Sequence, residues 1–334
     1  MAISPEQDAD ATGRMGSWIV AACVVLYVIM VLLDPGRGDK EGNAFEPTNI
    51  GILTAGAHQP FYVQTCGQWW RVVSANFVHL DLLHLLMNCV AAFMLIPLAG
   101  STLGVHRTWA IFIFSGIAAL TASDLFGYWG GGASGSLCGL VLALAVWGYR
   151  RGGFEGRALQ RRMLIWAAVI LFIGLLPFFR IDNVAHAVGF IVGGLLGWPA
   201  SSVRARGGRD DKLWRATSLA GLLLVVVVGV GFLAPNVWRG QQRREVEEYN
   251  HTVDELMKAI KRVRQGRADP AKLPADLEAG PGDADSMRAA VNRALALARK
   301  GTKGKDLWLA ERRADEAWSD WQHRLVCSHA RGYQ

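Results

Sequence analysis

A few polar residues stand in stretches otherwise built from Leu, Val, Ala and Gly: His79, His84 and Asn88 in HLDLLHLLMN, Ser134 in GASG, and His186 in AHAVG. A polar side chain in so apolar a setting is costly unless it faces a partner or a water-filled cavity, so chemistry is sought here first. A serine hydroxyl is a poor nucleophile until a neighbouring base removes its proton, and a neutral imidazole is such a base. Ser134 with His186 therefore reads as the nucleophile and general base of an acyl-transfer reaction. Its tetrahedral intermediate needs donors for an oxyanion, and His84, Asn88 and the backbone amide of Ser134 are the ones at hand. His84 and Asn88 are four apart and share one helix face, while His79 lies a turn or more earlier.

Each of these residues also has a plainer reading. A serine at a helix start is ordinarily a cap, a lone histidine between helices is as readily a structural donor, and Asn88 can simply bridge helices. Asp124 and Asp182 read best as markers of loop boundaries, which leaves a Ser–His dyad rather than a triad. A metal held by His79, His84 and His186 is disfavoured, because there is no His-Glu-x-x-His and no carboxylate accompanies them in the apolar stretches. No metal and no cofactor is expected.

Glycines decide whether the parts can meet. Gly132 and Gly135 let a tight loop descend beside other backbones and leave free amides at the helix start. Gly135, Gly139 and Ala143 then form one small-residue stripe, and Gly189, Gly193 and Gly197 form another on roughly the face of His186. Stripes of this kind let two helices approach closely. If they pack together, Ser134 and His186 come within hydrogen-bond reach.

The elements that must position these residues are apolar stretches at 18–33, 82–98, 108–123, 134–149, 163–179, 184–200 and 216–234, each near the length that spans hydrocarbon. We expect seven transmembrane helices, the first an uncleaved anchor. Arg107, then Arg150, Arg151, Arg157, Arg161 and Arg162, then Arg204, Arg206, Arg209, Lys212 and Arg215 fall in alternate connections. Basic residues resist translocation, so the N-terminus (1–17) is expected in the cytoplasm, and loop 34–81 and the C-terminus outside. The expected domains are the segment 1–17, a six-helix core at 18–200, a loop and seventh helix at 201–234, and an extramembrane domain at 235–334. That last domain holds Pro270, Pro274 and Pro281 between helical stretches at 241–267 and 285–326, with Trp308, Trp318 and Trp321 placed to build a small core.

Composition agrees. Of 334 residues 51% are hydrophobic and only 19% charged, which excludes a disordered chain. The net charge of +7 sits in short loops and points to a membrane, with no nucleic-acid partner expected. Five cysteines with no C-x-x-C pair make no disulfide framework. Cys66 and Cys327 fall on the same outer side, which permits a disulfide, although two unrelated thiols is the simpler expectation.

Taken together these motifs resemble the rhomboid family of intramembrane serine proteases. Trp70-Arg71 with Phe77 resembles that family's first-loop motif, His79, His84 and Asn88 its His-x4-His-x3-Asn, Gly132-Ala133-Ser134-Gly135 its Gly-x-Ser-Gly, and Ala185-His186 with Gly189 and Gly193 its histidine helix. The resemblance covers about residues 18–200. It implies an all-α membrane fold, a rhomboid-like six-helix bundle with a seventh transmembrane helix and a small helical extramembrane C-terminal domain. It further implies Ser134 as nucleophile, His186 as base, and His84, Asn88 and the Ser134 amide as the oxyanion hole. Trp69, Trp70 and Arg71 would lie in a loop partly in the outer leaflet of the bilayer. Cys138 stands one turn after Ser134, where many relatives carry an aromatic that stacks on the histidine. The expected function is an endopeptidase of a bacterial inner membrane that cleaves transmembrane protein substrates. The rival is a non-proteolytic rhomboid-like protein that binds membrane clients; a transporter ranks last, since no inverted repeat is evident.

Overall fold

A computed structural model describes residues 5–34, 45–176, 181–202, 209–233, 240–280, 284–302 and 304–331. Among them the protein is helical nearly throughout, and the only extended pairing is one antiparallel bridge between His58 and Gly130. The fold is that of an all-α membrane protein. Its chain divides into two compact units, Met1–Val63 with Trp69–Trp238, and Gln64–Gln68 with Arg239–Gln334.

In the first unit the long helices are α1 (Pro5–Leu32), α4 (Leu82–Leu103), α5 (Val105–Leu125), α6 (Ser134–Arg151), α7 (Gly153–Ile173), α8 (Asn183–Ala200) and α9 (Arg209–Val228). Short helices α2 (Asn49–Thr54) and α3 (Arg71–Ser74) punctuate the loop after α1. All seven expected stretches are helical where described, but the bounds move for physical reasons. α1 begins well before 18, so residues expected as a separate N-terminal segment continue the helix. α7 begins at Gly153, and only Gly152, with φ +64°, separates it from α6. Arg150 and Arg151 thus sit at the end of α6, and Arg157, Arg161 and Arg162 along the first half of α7, rather than in a loop, and their long stems let charged heads reach water. α7 stops at Ile173, short of the expected 179; residues 177–180 and Arg204 and Arg206 lie outside the described residues.

Five segments are long and apolar enough to cross a membrane: Gly13–Leu32, Leu82–Leu103, Val105–Leu125, Asn183–Ala200 and Asp211–Leu233. α6 and α7 fall outside that set. α6 is rich in Gly and Ser and is packed inside the bundle, its Leu140, Ala143 and Leu144 fully buried, while α7 carries arginines along its first half. α6 lies at the centre, against α4, α5, α7 and α8, and α9 packs on α5. Arg107 on α5 donates to Asp211 on α9 at 2.7 Å, and Trp70 of the first loop stacks on Phe232 with ring centres 6.1 Å apart.

The second unit contains α10 (Gly240–Arg264), α11 (Asp285–Arg299) and α12 (Lys305–Arg331). Val253, Met257 and Ile260, at helical spacing, face Met287, Val291 and Leu295 and then Leu307, which makes one apolar core. The stretch expected as one helix over 285–326 is two, parted at Gly301 and Gly304, both with positive φ that other residues rarely adopt. Of the three tryptophans, Trp321 is buried, Trp318 is partly buried and donates to Asn250 Oδ1 at 2.7 Å, and Trp308 is exposed. Pro281 lies outside the described residues. Cys66 and Cys327 are joined in a disulfide, against the simpler expectation of two unrelated thiols, while Cys23, Cys89 and Cys138 are free.

Candidate active site

Ser134 is the first residue of α6. The chain reaches it through three consecutive glycines that thread between other backbones. Gly130 pairs with His58 through two hydrogen bonds of 3.0 Å, and the Gly132 amide donates to Ala75 O at 2.8 Å. A Cβ on Gly131 would fall 2.7 Å from Ala75 O, and one on Gly132, at φ +138°, would meet the His84 ring at 2.6 Å. At Gly131 no larger residue fits, because backbone carbonyls cannot withdraw as a flexible side chain can, and at Gly132 the positive φ itself favours glycine.

His186 stands in the first turn of α8, 7% exposed. Asp182 caps that helix, its Oδ1 accepting from the Ala185 amide at 2.9 Å, and its carbonyl accepts from the His186 amide at 3.1 Å. The two small-residue stripes do meet. A Cβ on Gly189 would lie 2.3 Å from Gly135 O, one on Gly193 2.1 Å from Gly139 O, and one on Gly197 2.6 Å from the Ala143 Cα. Gly135 faces the Ala185 carbonyl, so the residues next to Ser134 and His186 touch. Among the described residues no hydrogen bond joins Ser134 to His186, and His186 Nδ1 is buried with no hydrogen-bond partner.

The other expected residues gather at the same end. His84 opens α4, held by Asp81, whose carboxylate accepts the His84 amide at 2.7 Å, and its ring lies over Gly132. Asn88, one turn on, is buried and donates through Nδ2 to the His84 carbonyl at 2.9 Å; an amide carries two such hydrogens. His79 is fully buried, with Nδ1 3.2 Å from Phe77 O and its ring edge-on to His84 at 5.2 Å. Arg71 is remote from the chemistry in a different sense. It is fully buried, Nη1 donates to Leu53 O at 2.7 Å and Ala57 O at 2.9 Å, and the guanidinium lies 4.7 Å over both Tyr62 and Trp70. It thus fixes the first loop that Ala75 and Val78 belong to. Cys138 is buried and presents no ring to His186.

Sequence reasoning misses a second polar cluster. His58 is 1% exposed and Ser123 and Asp124 0% exposed, so Asp124 does not merely mark the end of α5. Asp124 Oδ1 is 3.4 Å from His58 Nδ1, and Ser123 Oγ is 3.4 Å from His58 Nε2 and donates to Asp182 Oδ2. Burial pushes the His58 imidazole below the usual histidine range, with Asp124 and Asp182 opposing it. Only the pairing of a loop histidine with a carboxylate across 66 residues would have revealed it, and spacing carries no such signal.

The sequence profile of the rhomboid domain matches residues 66–203. RHOMBOID-like protein 2 of Arabidopsis thaliana is 27% identical over 60% of this chain and 68% of its own length. Rhomboid protease GlpG of Salmonella typhi is 30% identical over 53% of this chain and 60% of its own. Inactive rhomboid protein 2 of Homo sapiens is 32% identical over 47% of this chain and 18% of its own. The chain thus spans less than two thirds of the length of the latter two.

Proposed function

We propose, for a chain that belongs to the rhomboid family through its domain at residues 66–203, an intramembrane serine endopeptidase with Ser134 as nucleophile and His186 as base. The observation that carries this reading is the contact of the first turns of α6 and α8, where Gly135 lies against Ala185 and Gly189 against Gly135. Ser134 Oγ attacks the scissile carbonyl as its proton passes to His186. The oxyanion takes donors from the Ser134 amide, His84 and Asn88, and loss of one such donor costs about 3 kcal/mol of barrier. His186 then returns the proton to the leaving amine, and water releases the acyl group by the same steps in reverse order. A dyad suffices in this scheme, with no cofactor.

The substrates are transmembrane proteins in the lipid bilayer. A peptide bond must leave its helix to be attacked, so segments with helix-destabilising residues are favoured. By the distribution of basic residues, the N-terminus is cytoplasmic and the site opens to the outer side of an inner membrane. Residues 18–200 form the catalytic core in this reading, with 235–334 an extramembrane appendage. A second reading has one specific observation in its favour: a relative named as inactive matches at 32% identity, and a client-binding protein would share this fold.

The experiment is fluorophosphonate labelling of the detergent-purified protein and cleavage of a single-span substrate, in wild type, Ser134→Ala and His186→Ala. Labelling and cleavage present in wild type and absent from both variants support the protease. Folded wild-type protein that does neither replaces it with the client-binding reading.

A further inference from the structure

We infer that His58, Ser123 and Asp182 form a buried positioning relay that fixes, through the backbone of α8, where the His186 imidazole stands. This inference rests on the protease reading and deepens it. Its starting point is that His186 Nδ1 is buried with no hydrogen-bond partner. In a serine-protease triad a carboxylate holds that nitrogen and so sets the ring's orientation. Among the described residues nothing holds Nδ1, and the ring's placement falls to the first turn of the helix that carries it.

That turn is anchored from outside α8. Asp182 spans the junction, with Oδ1 on the Ala185 amide at 2.9 Å, its carbonyl on the His186 amide at 3.1 Å, and Oδ2 taking the proton of Ser123. Ser123 belongs to α5, and its oxygen lies 3.4 Å from His58 Nε2 in the first loop. His58 in turn is tied to Gly130 by two backbone hydrogen bonds and faces Asp124 at 3.4 Å through Nδ1. For Ser123 to stay bonded to His58 while it donates its one proton to Asp182, the imidazole must donate from Nε2 to Ser123 Oγ.

The run of carboxylate, imidazole and hydroxyl at Asp124, His58 and Ser123 has the order of a catalytic triad, but it is not a second active site. Ser123 is 0% exposed and its proton is already given to Asp182, so no substrate reaches it. What the run does is join three separate segments, the first loop, the end of α5 and the start of α8, at the level of His186. Such a junction costs a good deal to break, because each buried partner left behind is unsatisfied.

The test is a double-mutant cycle on the full-length protein in detergent, reading kcat and KM for a single-span substrate and the rate of fluorophosphonate labelling at Ser134. Ser123→Ala is expected to lower kcat and the labelling rate ~10-fold with KM nearly unchanged, since misplacement of a catalytic group acts on the chemical step. In the Asp182→Ala background the same change is expected to do almost nothing, since groups acting as one unit are not additive. If Asp182→Ala does not fold, Asp182→Ser, which keeps one oxygen for the helix cap but has no second oxygen to accept the Ser123 proton, takes its place with the same expectation. Wild-type kcat in folded Ser123→Ala, or effects that simply multiply, would overturn the relay while leaving the protease intact. A wild-type protein that neither labels nor cleaves would instead sink the protease reading itself.

Discussion

A Cβ placed on Gly189 would lie 2.3 Å from the carbonyl oxygen of Gly135, so the helices bearing His186 and Ser134 meet backbone to backbone. Substitution along this seam must part them. Gly189→Ala and Gly193→Ala are each expected to reduce cleavage at least ~100-fold, as a displacement of about 1 Å does at a reacting centre. Gly229→Ala, with open space around its Cβ, should act as wild type. Cleavage rates of the purified variants check this, and an active Gly193→Ala would show that the seam can yield.

Arg71 makes its prediction through stability. It is wholly buried, with Nη1 on Leu53 O and Ala57 O and its plane over Tyr62 and Trp70. Lysine supplies charge but not the flat face that lies over Tyr62 and Trp70, so Arg71→Lys should destabilise the protein by roughly 3 kcal/mol. Thermal unfolding in detergent measures it, and an unchanged midpoint would refute the role given to the loop.

The disulfide predicts a thiol count. Five cysteines less the bonded pair leave Cys23, Cys89 and Cys138 to react with an alkylating agent in unfolded, non-reduced protein. Cys66→Ser frees Cys327, so the count becomes four although one cysteine has been removed. Intact-mass spectrometry reads both numbers, and five in the wild type would mean no Cys66–Cys327 bond.

His58 gives a pH dependence. Its folded value lies below the ordinary 6.5 because burial disfavours the imidazolium, so the unfolded chain binds the proton first. Stability is therefore full above 6.5 and falls as the solution is made more acid. His58→Gln removes the titrating group, and its unfolding midpoint should fall less between pH 7 and pH 5 than that of wild type. Parallel slopes in the two proteins would show that His58 is not buried in its neutral form.

The chain displayed its helices and its small-residue stripes openly, because a 3.6-residue period and a run of apolar residues are local properties. Gly135 and Gly189 could be paired on paper since a stripe of glycines has one use in a membrane helix. Helix starts and stops were less visible: the arginines of α7 suggested a loop, yet arginine is a good helix former and only Gly152 turns the chain. The His58, Ser123 and Asp182 cluster was hidden, because its members are brought together by tertiary packing alone. Cys66 and Cys327, 261 residues apart, were hidden in the same way, since sequence gives no measure of their separation in space.

That bond also imposes a parity on the membrane crossings. A disulfide forms between cysteines in one compartment, so the chain from Cys66 to Cys327 must cross the bilayer an even number of times. Among the described residues α4, α5, α8 and α9 each hold a segment apolar enough to cross, and α6 and α7 do not. Four crossings and six are both even, whereas five is forbidden. α6 and α7 therefore enter the bilayer as a pair or stay out as a pair. Should α6, which packs against α4, α5 and α8, lie in the bilayer with them, α7 must cross as well despite its arginines.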